Sequence, residues 1–188
     1  MEEISEKQEE VLITRDRVDP SLGKIKYPTG EIYHGGISES GQKTGSGVLI
    51  YNSGKYYKGN FKNDLRDGTG IFIQEDGSAY NGEWKSDKKD GQGTLTLANG
   101  TKYSGGFRRG LFDGYGYMEY KNGDKYNGEF VKGQKEGKGT YRSESEGYVY
   151  TGLFKGNQFE GVGTLKTKKG ELFNVESKGG RIVKKVKV

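Results

Sequence analysis

One stretch in the middle of the chain decides the fold: Gly91-Gln92-Gly93-Thr94-Leu95-Thr96-Leu97-Ala98-Asn99-Gly100-Thr101-Lys102-Tyr103-Ser104-Gly105-Gly106-Phe107. Small or apolar residues alternate with polar ones on both sides of Asn99-Gly100, which is typical of a β-hairpin. At equivalent turns the residue before the glycine varies and only the glycine recurs. This favours a three-residue loop with one left-handed position over a two-residue turn. We therefore predict positive φ at Gly30, Gly54, Gly77, Gly100, Gly123, Gly147 and Gly170.

This loop also fixes the register of the hairpin. It places Leu95 opposite Tyr103 and Gly93 opposite Gly105, all on one side of the sheet, because side chains alternate along a strand. Aromatic rings then lie beside glycines, whose missing Cβ atoms leave room for the rings on the backbone. The register predicts one continuous apolar stripe formed by Tyr80, Trp84, Leu95, Tyr103, Phe107, Met118, Tyr126 and Phe130.

The same pattern returns six times, at intervals of 23 or 24 residues. Each copy has a tyrosine, a glycine two residues later, a large apolar residue two further on, and then a Gly-x-Gly pair. The tyrosines are Tyr33, Tyr57, Tyr80, Tyr103, Tyr126 and Tyr150. The glycines that follow them are Gly35, Gly59, Gly82, Gly105, Gly128 and Gly152. The apolar residues are Ile37, Phe61, Trp84, Phe107, Phe130 and Phe154. The pairs are Gly45/Gly47, Gly68/Gly70, Gly91/Gly93, Gly114/Gly116, Gly137/Gly139 and Gly161/Gly163. A fixed period of this length indicates stacked structural repeats.

Three parts of the chain differ in composition. Residues 1–20 are acidic and lack glycine, and we interpret them as a short helix or a disordered segment. Residues 21–176 carry the repeats without a break, with partial units at both ends, so we count one repeat domain. Residues 177–188 are basic and indicate an edge strand or a tail, since lysines on an edge discourage unwanted strand pairing.

The composition argues against catalysis and metal binding. The chain has no cysteine and one histidine, so the usual ligands of a zinc site are missing. That histidine, His34, lies in a predicted strand, and we interpret it as a surface residue. The Gly-x-Gly pairs open strands rather than helices, so they do not predict phosphate binding. We expect no enzymatic activity, no cofactor and no metal ion. The carboxylates that we interpret as turn residues are Asp64, Asp67, Asp87, Asp90 and Asp113.

The repeating unit resembles the MORN repeat (membrane occupation and recognition nexus). A near-ideal copy is Tyr80-Asn81-Gly82-Glu83-Trp84 followed by Gly91-Gln92-Gly93-Thr94-Leu95, and the resemblance covers about residues 21–176. It implies an all-β fold: an elongated, single-layer, twisted antiparallel meander of stacked β-hairpins. The departures are small: Ile37 replaces an aromatic residue, and one extra residue precedes Gly45 and another precedes Gly147.

Stand-alone MORN arrays of this size resemble proteins of ciliary radial spoke heads and of other axonemal or cytoskeletal assemblies. The resemblance therefore implies a non-catalytic scaffold that contacts other proteins of a multi-subunit assembly. It places the chain in the cytoplasm, in the cytoskeleton or the ciliary axoneme. No apolar run approaches the ~20 residues of a membrane helix, and the N-terminus lacks the pattern of a signal peptide. We also expect self-association through open sheet edges and no nucleic-acid binding.

An alternative function is that of a membrane-surface adaptor for anionic phospholipids. Each base near anionic lipid adds roughly 1 kcal/mol, so four bases without a second anchor give only weak, salt-sensitive binding. The candidate contacts are Arg181, Lys184, Lys185 and Lys187, with Arg108 and Arg109.

The acidic N-terminal segment contains a short apolar run, Val11-Leu12-Ile13, flanked by charge. Residues 1–22 carry seven acids and three bases. From the sequence alone we expect this segment to dock on a partner protein or a neighbouring subunit. Deletion of residues 1–20 would then leave the repeats folded and weaken incorporation into the assembly.

Overall fold

A computed structural model of the protein describes residues 22–188. The predictions for the N-terminal segment lie outside the described residues. Within residues 22–188 there is no helix, and fifteen strands follow one another in chain order in an open antiparallel sheet. This confirms the all-β meander of hairpins. The contacts of the described residues group into two compact units: the N-terminal unit (residues 22–88) and the C-terminal unit (Lys89–Val188).

The strands are short and nearly equal in length, as expected for a repeated hairpin. Those of the N-terminal unit are β1 (Gly23–Lys26), β2 (Ile32–Ile37), β3 (Lys43–Ile50), β4 (Tyr56–Lys62), β5 (Leu65–Ile73) and β6 (Ala79–Lys85). Strand β7 (Lys88–Thr96) begins at the boundary, and the C-terminal unit continues with β8 (Lys102–Arg108), β9 (Leu111–Glu119), β10 (Lys125–Val131), β11 (Gln134–Ser143), β12 (Tyr148–Lys155), β13 (Gln158–Thr167), β14 (Leu172–Lys178) and β15 (Arg181–Lys187).

The glycine turns have the geometry that the sequence predicts. In the turn between β7 and β8, the Leu97 N–H donates to the Thr101 carbonyl at 2.8 Å, and the Gly100 N–H donates to the Leu97 carbonyl at 2.9 Å. These two bonds define the three-residue loop with a left-handed glycine. All seven predicted glycines have φ between 69° and 90°, so the prediction is confirmed.

The predicted register is also confirmed. Leu95 pairs with Tyr103 and Gly93 pairs with Gly105. The tyrosines and the large apolar residues therefore share one side of the sheet, which we name the aromatic face; the other side is the opposite face. The eight residues of the predicted stripe are between 0% and 8% exposed. Ile37 is the exception among the apolar repeat positions, since it is 37% exposed.

A second turn type joins the other ends of the strands, and the sequence analysis missed it. Between β4 and β5, Asn63 and Asp64 both have positive φ, at 49° and 68°. Positive φ at both central positions is what a two-residue type I′ hairpin turn requires. Glycine fills only some of these positions, which hides the signal in the sequence. The other pairs with positive φ are Ser86-Asp87, Arg109-Gly110, Lys132-Gly133, Gly156-Asn157 and Gly179-Gly180.

The core is built from tyrosine rings laid across glycine backbones. Tyr103 is 1% exposed, and its hydroxyl donates to the Gly106 carbonyl at 2.9 Å. A Cβ atom on Gly116 would lie 2.5 Å from a carbon of this ring, and one on Gly105 would lie 2.5 Å from the Gly116 Cα. The tyrosine ring occupies the space that a Cβ atom would need, so the second position of each pair requires glycine. In all six repeats the tyrosine hydroxyl donates to the carbonyl three residues later, at 2.9–3.1 Å.

Edge-to-face ring contacts join neighbouring repeats within each unit. Trp84 meets Tyr57 and Tyr80 with ring centroids 5.4 and 5.1 Å apart. Phe130 meets Tyr103 and Tyr126 at 5.2 and 5.1 Å. Aromatic pairs at these distances stabilise beyond the area that they bury. Each large apolar residue thus bridges the tyrosine of its own repeat and that of the preceding repeat.

We expect Trp84→Ala to lower the free energy of unfolding by about 3–5 kcal/mol. The indole is 5% exposed, and its N–H donates to the Gly70 carbonyl at 3.1 Å, so truncation leaves a cavity and an unpaired carbonyl. Urea unfolding followed by circular dichroism measures the loss. A loss below about 1 kcal/mol would mean that Trp84 contributes little to the core.

We expect Gly116→Ala to cost about 1–3 kcal/mol, because the added Cβ overlaps the buried Tyr103 ring. Gly100→Asn is the matched control: Gly100 has positive φ but open space around a Cβ, and Asn tolerates the left-handed region. The control should cost less than about 1 kcal/mol. Equal losses in thermal and urea unfolding would show that packing of the ring on glycine is not the constraint.

Candidate functional site on the aromatic face

One position of the repeat, two residues before each Gly-x-Gly pair, stacks on the buried tyrosine; we name it the cap position. The sequence analysis missed it because the position holds a cation in four repeats and phenylalanine in two. Phe112 stacks on Tyr103 with centroids 4.0 Å apart, and Phe159 stacks on Tyr150 at 4.1 Å. At these two repeats the cap closes the core with a ring. The residues at the cap position are Lys43, Arg66, Lys89, Phe112, Lys135 and Phe159.

In the C-terminal unit, four aromatic rings surround the side chain of Lys135. Its Nζ lies 5.1, 5.3 and 5.4 Å from the ring centroids of Tyr141, Tyr126 and Tyr120, and 6.0 Å from that of Phe154. Such distances allow cation–π attraction. Burial lowers the pKa of Lys135, and the charge of Asp124 opposes part of that shift. The rings come from three different repeats, so only the fold assembles this cage.

Asp124 forms a hydrogen-bonded network at the edge of this cage. The Tyr141 hydroxyl donates to its Oδ2 at 2.5 Å, the Asn122 amide donates to the same oxygen at 2.8 Å, and the Glu144 N–H donates to Oδ1 at 2.8 Å. These donors lower the pKa of Asp124, with the Tyr141 hydroxyl as the largest cause. Burial and the same hydrogen bond raise the pKa of Tyr141. Asp124 is 6% exposed, and hydrogen bonds within the protein fix the position of its carboxylate.

Arg66 occupies the equivalent place in the N-terminal unit. Its guanidinium carbon lies 4.2 Å from the Trp84 ring centroid and 5.2 Å from that of Phe72. Its Nε donates to Asp87 Oδ1 at 2.8 Å, which fixes the orientation of the fork. Tyr51 stands edge-on to Phe72 at 6.2 Å. Burial raises the pKa of the Tyr51 hydroxyl, which therefore stays neutral near pH 7.

Both units thus present a cation among half-buried aromatic rings. We name these the Arg66 cluster (Tyr51, Arg66, Phe72) and the Lys135 cluster (Tyr120, Lys135, Tyr141). A depression of about 570 Å³ opens at the second cluster. Half-buried rings and a cation can bind apolar and acidic groups together. The residues that line the depression are Thr101, Tyr120, Lys121, Asn122, Asp124, Lys135 and Tyr141.

Aspartate carboxylates of one repeat bind the main chain of the next repeat. Asp64 and Asp87 lie in turns, as the sequence predicts, but the interpretation of Asp67, Asp90 and Asp113 as turn residues is wrong. These three lie in strands, and each accepts a hydrogen bond from a main-chain N–H of the next tight turn. The bonds are Ser86 N–H to Asp67 at 3.1 Å, Arg109 N–H to Asp90 at 2.9 Å and Lys132 N–H to Asp113 at 3.4 Å.

The C-terminal bases lie on β15, which pairs with β14 and ends the strand order. Lys185 and Lys187 are in register with Val175 and Phe173 on the aromatic face, whereas Lys184 is in register with Glu176 on the opposite face. A bulge beside Val183 separates Lys184 from Arg181, which is in register with Lys178. The four bases therefore do not share one face.

Two of these bases have partners within the chain. Lys185 Nζ lies 4.0 Å from the Phe173 ring centroid, and Lys187 Nζ lies 2.7 Å from Glu171 Oε1. Arg108 pairs with Asp113 at 3.2 Å. Arg109 has φ of 50° in a tight turn.

His34 lies half-buried in β2, in register with Lys24 and Val48, so it is less exposed than the sequence indicates. Within residues 22–188, no group of three or more His, Asp or Glu side chains could hold a metal ion. The part of the chain that the structure describes also contains no helix with the length and hydrophobicity needed to cross a membrane.

A family model described as MORN repeat matches six segments of the sequence: residues 36–56, 57–79, 80–102, 103–125, 126–148 and 150–171. The chain belongs to the MORN-repeat family. MORN repeats suggest a module that binds proteins or membranes. In this MORN protein the matched segments contain five of the six buried repeat tyrosines, all six glycine pairs and all six cap positions.

Among curated proteins, none matches this chain. Among solved structures, the SAS-4 (dCPAP) TCP domain of Drosophila melanogaster, in complex with a proline-rich motif of Ana2 (dSTIL), is 17% identical. The match covers 86% of this chain and 94% of that chain, with a TM-score of 0.49. The wild-type TCP10 domain of Danio rerio CPAP is 14% identical over 92% of each chain, with a TM-score of 0.43. Likeness at this level says nothing about what the MORN chain binds.

We expect Asp124→Asn to lower the free energy of unfolding at pH 7 by roughly 1–3 kcal/mol, because buried donors lose a charged acceptor. Folding lowers the pKa of Asp124 below its ordinary 3.8, so its contribution is present above that value and is lost as the pH falls toward the folded pKa. The difference between wild type and variant should therefore shrink below about pH 4. Urea unfolding from pH 7 to pH 3 measures it. A difference that stays constant over this range would assign the loss to shape rather than charge.

Proposed function

We propose that this MORN protein is a non-catalytic scaffold that holds other proteins of a larger assembly on its aromatic face. The observation that carries the proposal is the pair of clusters in which a cation sits among half-buried rings, one in each unit. Arg66 lies 4.2 Å from the Trp84 ring centroid, and Lys135 lies within 5.4 Å of three tyrosine centroids. Arginine and tyrosine are the side chains that most often dominate binding energy at protein interfaces.

The chemistry of the clusters suggests the kind of segment that would bind. Their rings offer apolar area, and their cations offer charge to a carboxylate, so a partner segment with alternating acidic and apolar side chains fits. The rings and cations are already ordered by the core, which reduces the entropy lost on binding. The two clusters offer the same kind of chemistry, so each can bind a segment of this kind.

The non-catalytic part of the proposal rests on how the polar side chains are used. Asp67, Asp90 and Asp113 accept main-chain hydrogen bonds from the next repeat, and Asp124 accepts three donors. Carboxylates held in this way position backbone rather than substrate. The proposed setting is the cytoplasm, in a cytoskeletal complex such as the radial spoke of the ciliary axoneme. The resemblance to stand-alone MORN arrays supports that setting.

Membrane binding through the C-terminal bases is the weaker function. Lys185 and Lys187 have partners within the chain, and they lie on the opposite side of the sheet from Lys184. Without a shared face, few of these charges can approach a flat anionic surface together. We therefore propose that contact with lipid is secondary to protein binding.

The test is crosslinking of the tagged protein to its neighbours in cells. The variants are Arg66→Met and Lys135→Met, which remove the charge and keep an unbranched apolar stem. Lys138→Met is the matched control, because Lys138 lies on the same strand as Lys135 but on the opposite face, in register with Leu153. Thermal unfolding confirms that all three variants remain folded.

We expect both cluster variants to weaken recovery of the same neighbours at least about tenfold, which corresponds to roughly 1.4 kcal/mol, and the control to leave it unchanged. Unchanged crosslinks in both cluster variants would contradict a role of the aromatic face. Flotation with anionic vesicles at two salt concentrations tests the membrane function: binding that survives high salt would contradict the scaffold proposal.

A further inference from the structure

One row of the opposite face is apolar in the N-terminal unit and mostly charged in the C-terminal unit. This row consists of cross-strand pairs. Each of its members is adjacent in the sequence to a residue of the aromatic-face stripe and therefore points to the opposite face. In the N-terminal unit this row consists of Ile32, Ile50, Tyr56, Ile73 and Ala79. In the C-terminal unit it consists of Thr96, Lys102, Glu119, Lys125, Arg142, Val149, Lys166 and Leu172. We name the N-terminal part, with Val48 and Ile71 of the adjacent row, the apolar patch.

Part of the apolar patch is buried. Ile50 is 3% exposed and Val48 is 5% exposed, whereas Ile71 in the same row as Val48 is 38% exposed. In the C-terminal unit, Tyr117 occupies the position equivalent to Val48 and is 39% exposed. The tyrosine rings that pack on glycine backbones lie on the aromatic face, so burial of residues on the opposite face needs a further layer. Among residues 22–188 there is no helix or second sheet to supply that layer.

The chain enters the described structure at the edge of this patch. A groove of about 670 Å³ runs over it, and its walls include Leu22, Val48, Tyr56 and Ile71. Leu22 is the first residue that the structure describes, and it lines this groove. Lys58 also lines the groove and gives it positive charge.

We propose that residues 1–21 pack across the apolar patch of their own unit, with Val11, Leu12 and Ile13 against its isoleucines. The segment can supply the missing cover, because it contains a short apolar run flanked by charge, and residues 1–22 carry seven acids and three bases. Those acids complement Lys58 and Lys24, which lie on the same face. This position differs from the partner docking that the sequence alone suggests, because the matching apolar surface is on this chain.

The length of the segment is sufficient. Ten residues separate Leu12 from Leu22, and an extended chain of that length spans at most about 33–36 Å. Strand β5, which carries Ile71, lies four strand spacings from β1, or about 19 Å. The apolar run therefore reaches the exposed end of the patch without strain. The tether also gives the segment a higher local concentration than any separate partner has.

The two faces of the sheet then have different roles. The N-terminal segment covers the apolar patch, and the aromatic face with its two clusters stays open. The inference does not depend on the proposed function, because it concerns packing within one chain. Removal of the segment would expose an apolar surface that promotes association.

The absence of cysteine in the natural sequence makes disulfide trapping a direct test. The full chain carries Leu12→Cys together with Ile71→Cys, and a dilute sample is oxidised. The matched control carries Leu12→Cys with Ile37→Cys. Ile37 is 37% exposed and lies in β2, closer than Ile71 to the start of the sheet, but on the aromatic face. Mass spectrometry of the digested protein identifies intramolecular disulfides.

We expect the Leu12–Ile71 pair to close at least about tenfold faster than the Leu12–Ile37 pair. Equal rates would overturn the proposal, because a segment that only diffuses near the sheet reaches both sites. Disulfide-linked dimers in place of intramolecular closure would also overturn it, since the occupant would then be a second copy of the chain.

Deletion of residues 1–20 gives an independent measurement. The shortened chain should bind several-fold more of a fluorescent apolar dye than the full chain, and Ile71→Ser in the shortened chain should reduce that gain. Unfolding of the shortened chain would agree with the loss of a packed layer. Dye binding equal to that of the full chain, with the repeats folded, would overturn the proposal.

Discussion

The structure depends on one interaction: a tyrosine ring laid flat against the backbones of two paired glycines. A Cβ atom on Gly116 would lie 2.5 Å from the Tyr103 ring, so glycine at this site is a steric requirement. The hydroxyl at the far end of the ring donates to a main-chain carbonyl at 2.9 Å, so the buried polar atom is satisfied. A single sheet can therefore bury large side chains without a second layer, because its own backbone forms the other wall of the core.

The repeat turns this interaction into an extended core. Phe130 touches Tyr103 and Tyr126 edge-on, so each repeat is completed by the next one. Carboxylates such as Asp90 accept an N–H from the following turn and hold the repeats in register along the edge. Nearest-neighbour contacts of this kind make stability a sum over repeats and their interfaces. The cap position is then free to vary, and it varies between a phenylalanine that closes the core and a cation that adds charge at the surface.

The two faces of the sheet follow different rules. The aromatic face is set by the repeat and is therefore similar in both units, where it offers the Arg66 and Lys135 clusters. The opposite face is not used by the repeat, so its composition can differ along the chain. It changes from Ile50 and Ile73 in the N-terminal unit to Lys125 and Lys166 in the C-terminal unit. The apolar part of this row lies in the N-terminal unit, beside the first described residue, and the cover that we propose for it is the N-terminal segment.

The sequence by itself determined the features that depend on one hairpin: positive φ at Gly100, the pairing of Leu95 with Tyr103, and the burial of Trp84. A left-handed turn and a two-residue alternation are local, so their signals lie within about twenty residues. The tertiary structure decided what depends on neighbouring repeats. The tight turn at Ser86-Asp87 carries no glycine, and the partner of the Asp67 carboxylate is a main-chain N–H nineteen residues away. The Lys135 cage draws its rings from three repeats, and a bulge in β15 places Arg181 on the opposite face together with Lys184. Residues that look equivalent in the local sequence pattern therefore differ in structure, because their contacts with neighbouring repeats differ.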